Sequence, residues 1–259
     1  MTRIRMIGLC LVVMGASSAL GSASASALLA EPELGRCVKV APGSGEYKVA
    51  SCTGGAKAAG GSYDWKREAI KDKFVSAGGV TVLEAIGGTK YECKTLVNEG
   101  EYDNDGAGLL LRLFGCRDVA LNFECTNAAP ENIVTPTLPG EWGFIMNKLN
   151  KEGKLVVSVG LELGIPEPSV KFECGPNKNK FELSGQFIVP IAPIDKMSTT
   201  FKLKAKAVAG KQHPAKFEGG GVRALTLQQV FPPMPPKGAG LTSTDTITSE
   251  EPLEIKAKE

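Results

Sequence analysis

Period-two alternation of apolar and polar residues, sustained over the second half of the chain, constrains the fold more than any other feature. In KLVVSVGLELG, residues 154–164, Leu155, Val157, Val159, Leu161 and Leu163 fall on one side and Ser158, Gly160 and Glu162 on the other. FELSGQFIVPI repeats the pattern with Phe181, Leu183, Phe187, Val189 and Ile191. TFKLKAKAVAGK sets Phe201, Leu203, Ala205 and Ala207 against Lys202, Lys204 and Lys206, and LEIKAKE closes the series with Leu253, Ile255 and Ala257. Side chains of a strand point alternately to its two faces, so each stretch predicts a strand with one face on a core.

Earlier segments agree. GGVTVLEAIGGTKYECKTLV predicts two strands joined at Gly87 and Gly88, a pair able to take the positive φ of a tight hairpin. GLLLRLFGC is apolar on both faces apart from Arg112, which suits an interior strand. Only DWKREAIKDKF (64–74) and WGFIMNKLNKEG (142–153) carry weak helical spacing. The 31 glycines and 16 prolines supply turns, and the regular helix alternation of a parallel sheet is missing. The expected fold is all-β: an antiparallel sandwich or barrel with disulfides and at most one or two short helices.

Arg3 and Arg5, then fifteen apolar-rich residues from Met6 to Leu20, then GSASASA, have the order of a secretory signal peptide, with cleavage expected after Ala27. The run is short for a membrane span, and Leu9 before Cys10 does not suit a lipid anchor. Residues 28–259 are therefore expected to form one exported β domain, within which 36–75 could make a small N-terminal subdomain. A secreted location, extracellular or at the cell envelope, follows, with no stable membrane span after cleavage.

Removing Cys10 from the 7 cysteines leaves six: Cys37, Cys52, Cys93, Cys116, Cys125 and Cys174. An even number outside the cell favours disulfides, although six cysteines allow 15 connectivities. Cys37 and Cys52 flank VKVAPGSGEYKVAS, whose PGSG turn predicts a hairpin that joins them. Cys116 and Cys125 bracket a short loop and an arm in which Leu121, Phe123 and Cys125 share a face, so they are expected to pair; elimination leaves Cys93 with Cys174.

Chemistry is sparsely signalled. The charge is nearly balanced, 30 Lys+Arg against 28 Asp+Glu, so no strong overall field attracts nucleic acid or anionic membrane, and no specific nucleic-acid partner is expected. The single histidine, His213, sits in the turn-like GKQHPAKFEGG; G-x-S-x-G and H-E-x-x-H are absent, as are Rossmann and P-loop fingerprints. No catalytic residue, metal site or cofactor is expected from these patterns. NEGEYDNDGAG gathers Glu99, Glu101, Asp103 and Asp105, which reads as turn chemistry, or as a weak calcium loop that fails the EF-hand spacing. FPPMPPKGAG (231–240) reads as a surface loop or a polyproline recognition segment. Lys202, Lys204 and Lys206, followed by Lys211, could hold phosphates of an anionic cell-surface polymer, or simply form a solvated face or guard an edge strand.

Taken together, GRCVKVA, GSGEYKVASC, GGSYDW, the CK strand, FGC, IVTPTLPGEWG, MSTTFKLK, KQHPAKFEGG and AGLTSTDTITSEEPLEIK resemble an uncharacterised secreted family of actinobacteria. The resemblance implies export and brings no activity with it. The function expected is non-catalytic binding or structure at the cell envelope. The alternatives are a carrier of a small apolar ligand and a hydrolase of an extracellular polymer that uses a carboxylate pair.

Overall fold

Registers of hydrogen-bonded pairs, followed from strand to strand, close on themselves. A computed structural model describes residues 28–53, 60–67, 72–102, 106–127 and 132–258; the expected signal peptide, 1–27, lies outside them. Among the described residues there are strands and turns but no helix. Short strands join end to end into longer runs. β3 (Asp72–Gly78) and β4 (Thr81–Ala85) make one, β5 (Lys90–Cys93) and β6 (Thr95–Tyr102) the next, and β7 (Gly106–Phe114) and β8 (Arg117–Asp118) a third. β9 (Cys125–Thr126), β10 (Asn132–Val134) and β11 (Leu138–Leu149) make a fourth, followed by β12 (Leu155–Cys174) and β13 (Asn179–Ala192). The seventh position is divided between β14 (Ser198–Val208) and β16 (Leu225–Phe231), and β17 (Lys237–Lys258) is the eighth.

Each run pairs antiparallel with the next, and β17 returns to β3 and β4. The fold is a closed up-and-down barrel, which leaves no open sheet edge round its wall. Closure also explains why one alternating face could be so uniformly apolar: it fills the barrel. Leu161, Phe201, Leu203, Ile247 and Leu253 are at most 2% exposed, and burying each contributes about 2 kcal/mol.

β1 (Leu28–Lys39) begins on the end of β17 and then leaves it, so that Arg36–Lys39 pair with β2 (Tyr63–Lys66). Bridges Gly45–Gly61 and Tyr47–Tyr63 and the Cys37–Cys52 disulfide complete this small unit. It is fastened to the barrel by Lys256, whose ammonium stands 4.1 Å from the Trp65 ring centroid. Residues 72–75 belong to the barrel wall through β3.

Several expectations are corrected. WGFIMNKLNKEG is strand β11 up to Leu149, and a bulge between Phe144 and Met146 breaks its alternation, which is what imitated helical spacing. The described ends of DWKREAIKDKF are strands of β2 and β3, with 68–71 outside the described residues. Cys37 and Cys52 are bonded without the predicted hairpin, because the arm after PGSG pairs with 61–63 instead. The other two disulfides join Cys93 to Cys116 and Cys125 to Cys174, not Cys116 to Cys125. Cys116 and Cys125 are backbone neighbours, the Cys125 N–H donating to the Cys116 carbonyl at 2.9 Å. Their side chains, however, face the adjoining runs: Cys125 lies opposite Cys174, and Cys93 is 3.9 Å from Cys116 between Cα atoms. Leu121 and Phe123 are exposed on the loop between them rather than sharing the buried face of Cys125.

Candidate binding surface

The barrel interior is packed with side chains. An apolar cavity of about 60 Å³ remains, bordered by Leu83, Tyr91, Leu111, Phe172, Phe187 and others. Cavities that hold small-molecule ligands run to about 300–1,000 Å³, so the carrier reading gains no support here. Burial, and then the nearby Asp118 charge, push the Tyr91 phenol upward.

One inner sector is polar. Ser76, Asn98, Ser243 and Asp245 all point inward and are buried. Asn98 donates to Ser76 Oγ at 2.6 Å and Ser243 donates to Asp245 Oδ2 at 3.3 Å. Asn98 Oδ1, Thr81 Oγ1 and Asp245 Oδ1 find no hydrogen-bond partner among the described residues. The Asp245 carboxyl lies over Gly78, where a Cβ would come within 1.8 Å of it, and burial raises its pKa to about 6.

On the outside, the connection from β15 (Lys211–His213) to β16 forms a strap across β11 and β12. The Phe217 ring rests on Gly143, where any Cβ would meet it at 2.5 Å, and Glu218 N–H donates to the Phe144 carbonyl at 2.7 Å. The Glu218 carboxylate accepts from Asn147 N–H. Beneath the strap is a cleft of about 420 Å³ containing Glu31, Glu141, Glu162, Glu218 and Arg223. Glu141 and Glu162 are register partners on β11 and β12, two like charges side by side. Arg223 relieves this, its Nε donating to Glu162 Oε2 at 2.7 Å. Because Glu162 is 6% exposed, Arg223→Ala is expected to cost about 2 kcal/mol, read as a lower urea midpoint. Adding Glu162→Gln should recover part of that loss, since the stranded charge is then gone. The buried carboxylate here is engaged in holding the strap down.

The lysines occupy a different wall. Lys202, Lys204 and Lys206 point outward from β14, about 7 Å apart. Directly beside them on β17, Thr248, Thr246 and Thr244 oppose Thr200, Lys202 and Lys204. With Thr242, the outward positions 200–206 and 242–248 of these two strands carry only threonine and lysine. His213 stands opposite Lys206, and Lys211 opposite Val208, both exposed. None of Lys202, Lys204, Lys206 and Lys211 forms an ion pair among the described residues. The edge-guarding reading of these lysines is corrected: β14 is paired with β17 on one side and with β13 and β15 on the other.

The remaining sequence candidates fall elsewhere. Glu99 pairs with Arg112, and Glu101 lies 3.9 Å from Lys73, while Asp103 and Asp105 are outside the described residues. No group of three His, Cys, Asp or Glu able to hold a metal occurs among the described residues. Pro232–Pro236 form an exposed loop between β16 and β17. The buried Asp245, the Arg223–Glu162 pair and the threonine row were not read from the sequence. The threonine row had a signal, since STDTITSE alternates, but its position beside the lysines is set by the β14–β17 register. No family model, curated protein or solved structure matches the chain.

Proposed function

We propose that this is a secreted, disulfide-stapled β barrel that binds an anionic polymer of the cell surface through the lysine–threonine wall of β14 and β17, acting through surface rather than bond-making chemistry. Three disulfides belong to an oxidising compartment, and the leader-like N-terminus supports export from the cell. The observation that carries the reading is the row of unpaired lysines on an interior strand. There, among the described residues, the positive charge has neither a carboxylate to neutralise nor an open edge to guard. Lysine ammonium groups are compact and swivel freely, so a row of them follows repeating phosphates or carboxylates without needing a fixed bidentate geometry. The threonine hydroxyls alongside add neutral donors and acceptors.

Retention on immobilised polyphosphate tests this. The full chain should be retained at low salt and released as salt rises. Lys202→Glu, Lys204→Glu and Lys206→Glu together should weaken binding at least tenfold and lower the slope of log K against log salt by about 2 to 3. All three positions are exposed, so thermal stability should hardly change. A triple variant that binds like the unmodified chain would overturn the assignment.

A further inference from the structure

All four connections at one end of the barrel bring exposed apolar side chains or proline into solvent. The β4–β5 turn carries Ile86, the loop from β8 to β9 carries Val119, Leu121 and Phe123, and the end of β16 with the following loop carries Val230, Phe231 and Met234. Pro176 is at the β12–β13 turn, and Pro232, Pro233, Pro235 and Pro236 surround Met234. These tips are neighbours: Val119 N–H donates to the Lys90 carbonyl, Ile86 N–H to Gly238, and Gly175 N–H to Glu124, at 2.8–2.9 Å. Phe231 is 59% exposed and Leu121 56%, far from the buried rows a few residues away.

The backbone of these tips is unusual in the same way. Four of the five residues from Pro232 to Pro236 have no N–H, and the Met234 N–H is donated to the Gln229 carbonyl. In the other large tip, Asp118 carboxylate accepts from Ala120 N–H at 2.9 Å and Leu121 N–H at 3.0 Å, and Asp118 N–H is donated to the Phe123 carbonyl. Disulfides Cys93–Cys116 and Cys125–Cys174 pin the feet of that loop. A loop that grips a peptide or polysaccharide offers free donors, whereas one that enters lipid must satisfy its own. Here the apolar groups stand on separate tips in which the Asp118, Val119, Ala120, Leu121 and Met234 N–H groups are already engaged. Lys178 and Lys237, without an ion-pair partner among the described residues, stand at the same end, two cations suited to lipid phosphates.

We infer that this end of the barrel docks on a lipid bilayer, placing Leu121, Phe123, Phe231 and Met234 at the boundary of headgroups and acyl chains. The inference is independent of polymer binding, which uses the outward face of β14 and β17 and not these tips. The full chain with intact disulfides should sediment with phosphatidylcholine vesicles, and more tightly when phosphatidylglycerol is added. Leu121→Asp with Phe231→Asp should weaken this at least tenfold at unchanged thermal stability. The indole introduced by Phe231→Trp should shift to the blue on vesicles and be quenched by brominated acyl chains. The Lys202→Glu, Lys204→Glu, Lys206→Glu variant should still bind phosphatidylcholine vesicles. Failure of the unmodified chain to sediment, equal binding by the double aspartate variant, or an unquenched indole would overturn the inference. So would a dimer that the aspartates dissociate in the absence of vesicle binding, since the end would then be an interface between copies.

Discussion

Alanine at both Cys125 and Cys174 is expected to lower the unfolding free energy by roughly 4 kcal/mol, measured by urea titration. The bond closes a separation of 49 residues, against 23 for Cys93–Cys116 and 15 for Cys37–Cys52. In the chain-entropy account a longer closed loop removes more freedom from the unfolded chain, and the same reasoning gives about 3 kcal/mol for the shortest. Geometry points the same way, because the bond ties β9 to the end of β12 where the C-terminal half meets the N-terminal half. Protease mapping without reductant should release Cys125 linked to Cys174 and Cys93 linked to Cys116. A peptide linking Cys116 to Cys125 would show the pairing to be wrong.

Asp245→Asn should stabilise the protein by about 3 kcal/mol at pH 7 and above. The carboxyl has a pKa of about 6 in the folded barrel against 3.8 as the ordinary value, because burial disfavours its charged form. The folded state therefore holds the proton more tightly than the unfolded state between those values. Stability from this group is fully present below pH 3.8 and is lost as pH rises through 6; two pKa units correspond to about 3 kcal/mol. Neither neighbouring strand brings a charge to relieve it, since Gly78 and Leu203 lie opposite. Urea unfolding of both proteins from pH 4 to 8 separates this group from the other carboxylates. The difference between variant and unmodified protein should be small at the acid end and widen across pH 4–6. A constant difference would show that Asp245 does not titrate in that range.

The inward rows were legible because alternation is a property of the local backbone, and Leu161, Leu203 and Ile255 lie inside as their spacing predicts. The failures have equally local causes. The bulge after Phe144 shifted the phase of β11, and the short span from Cys116 to Cys125 suggested a bond that side-chain direction forbids. Glu162 read as solvent-facing because nothing in its own strand announces a strap contributed by residues 214–224. The lysine row was visible in sequence, but its meaning depended on whether β14 was an edge.

What the sequence determined by itself was the all-β class, the strands with clean alternation such as β12, β13, β14 and the end of β17 with the face each turns inward, and an even cysteine count suited to oxidation. Tertiary structure alone decided that the sheet closes, which cysteines meet, that β14 is interior, and that four separated turns gather their apolar tips at one end. The physical reason is that side-chain direction along a strand repeats every two residues, whereas strand neighbours are chosen by contacts between residues far apart in the chain.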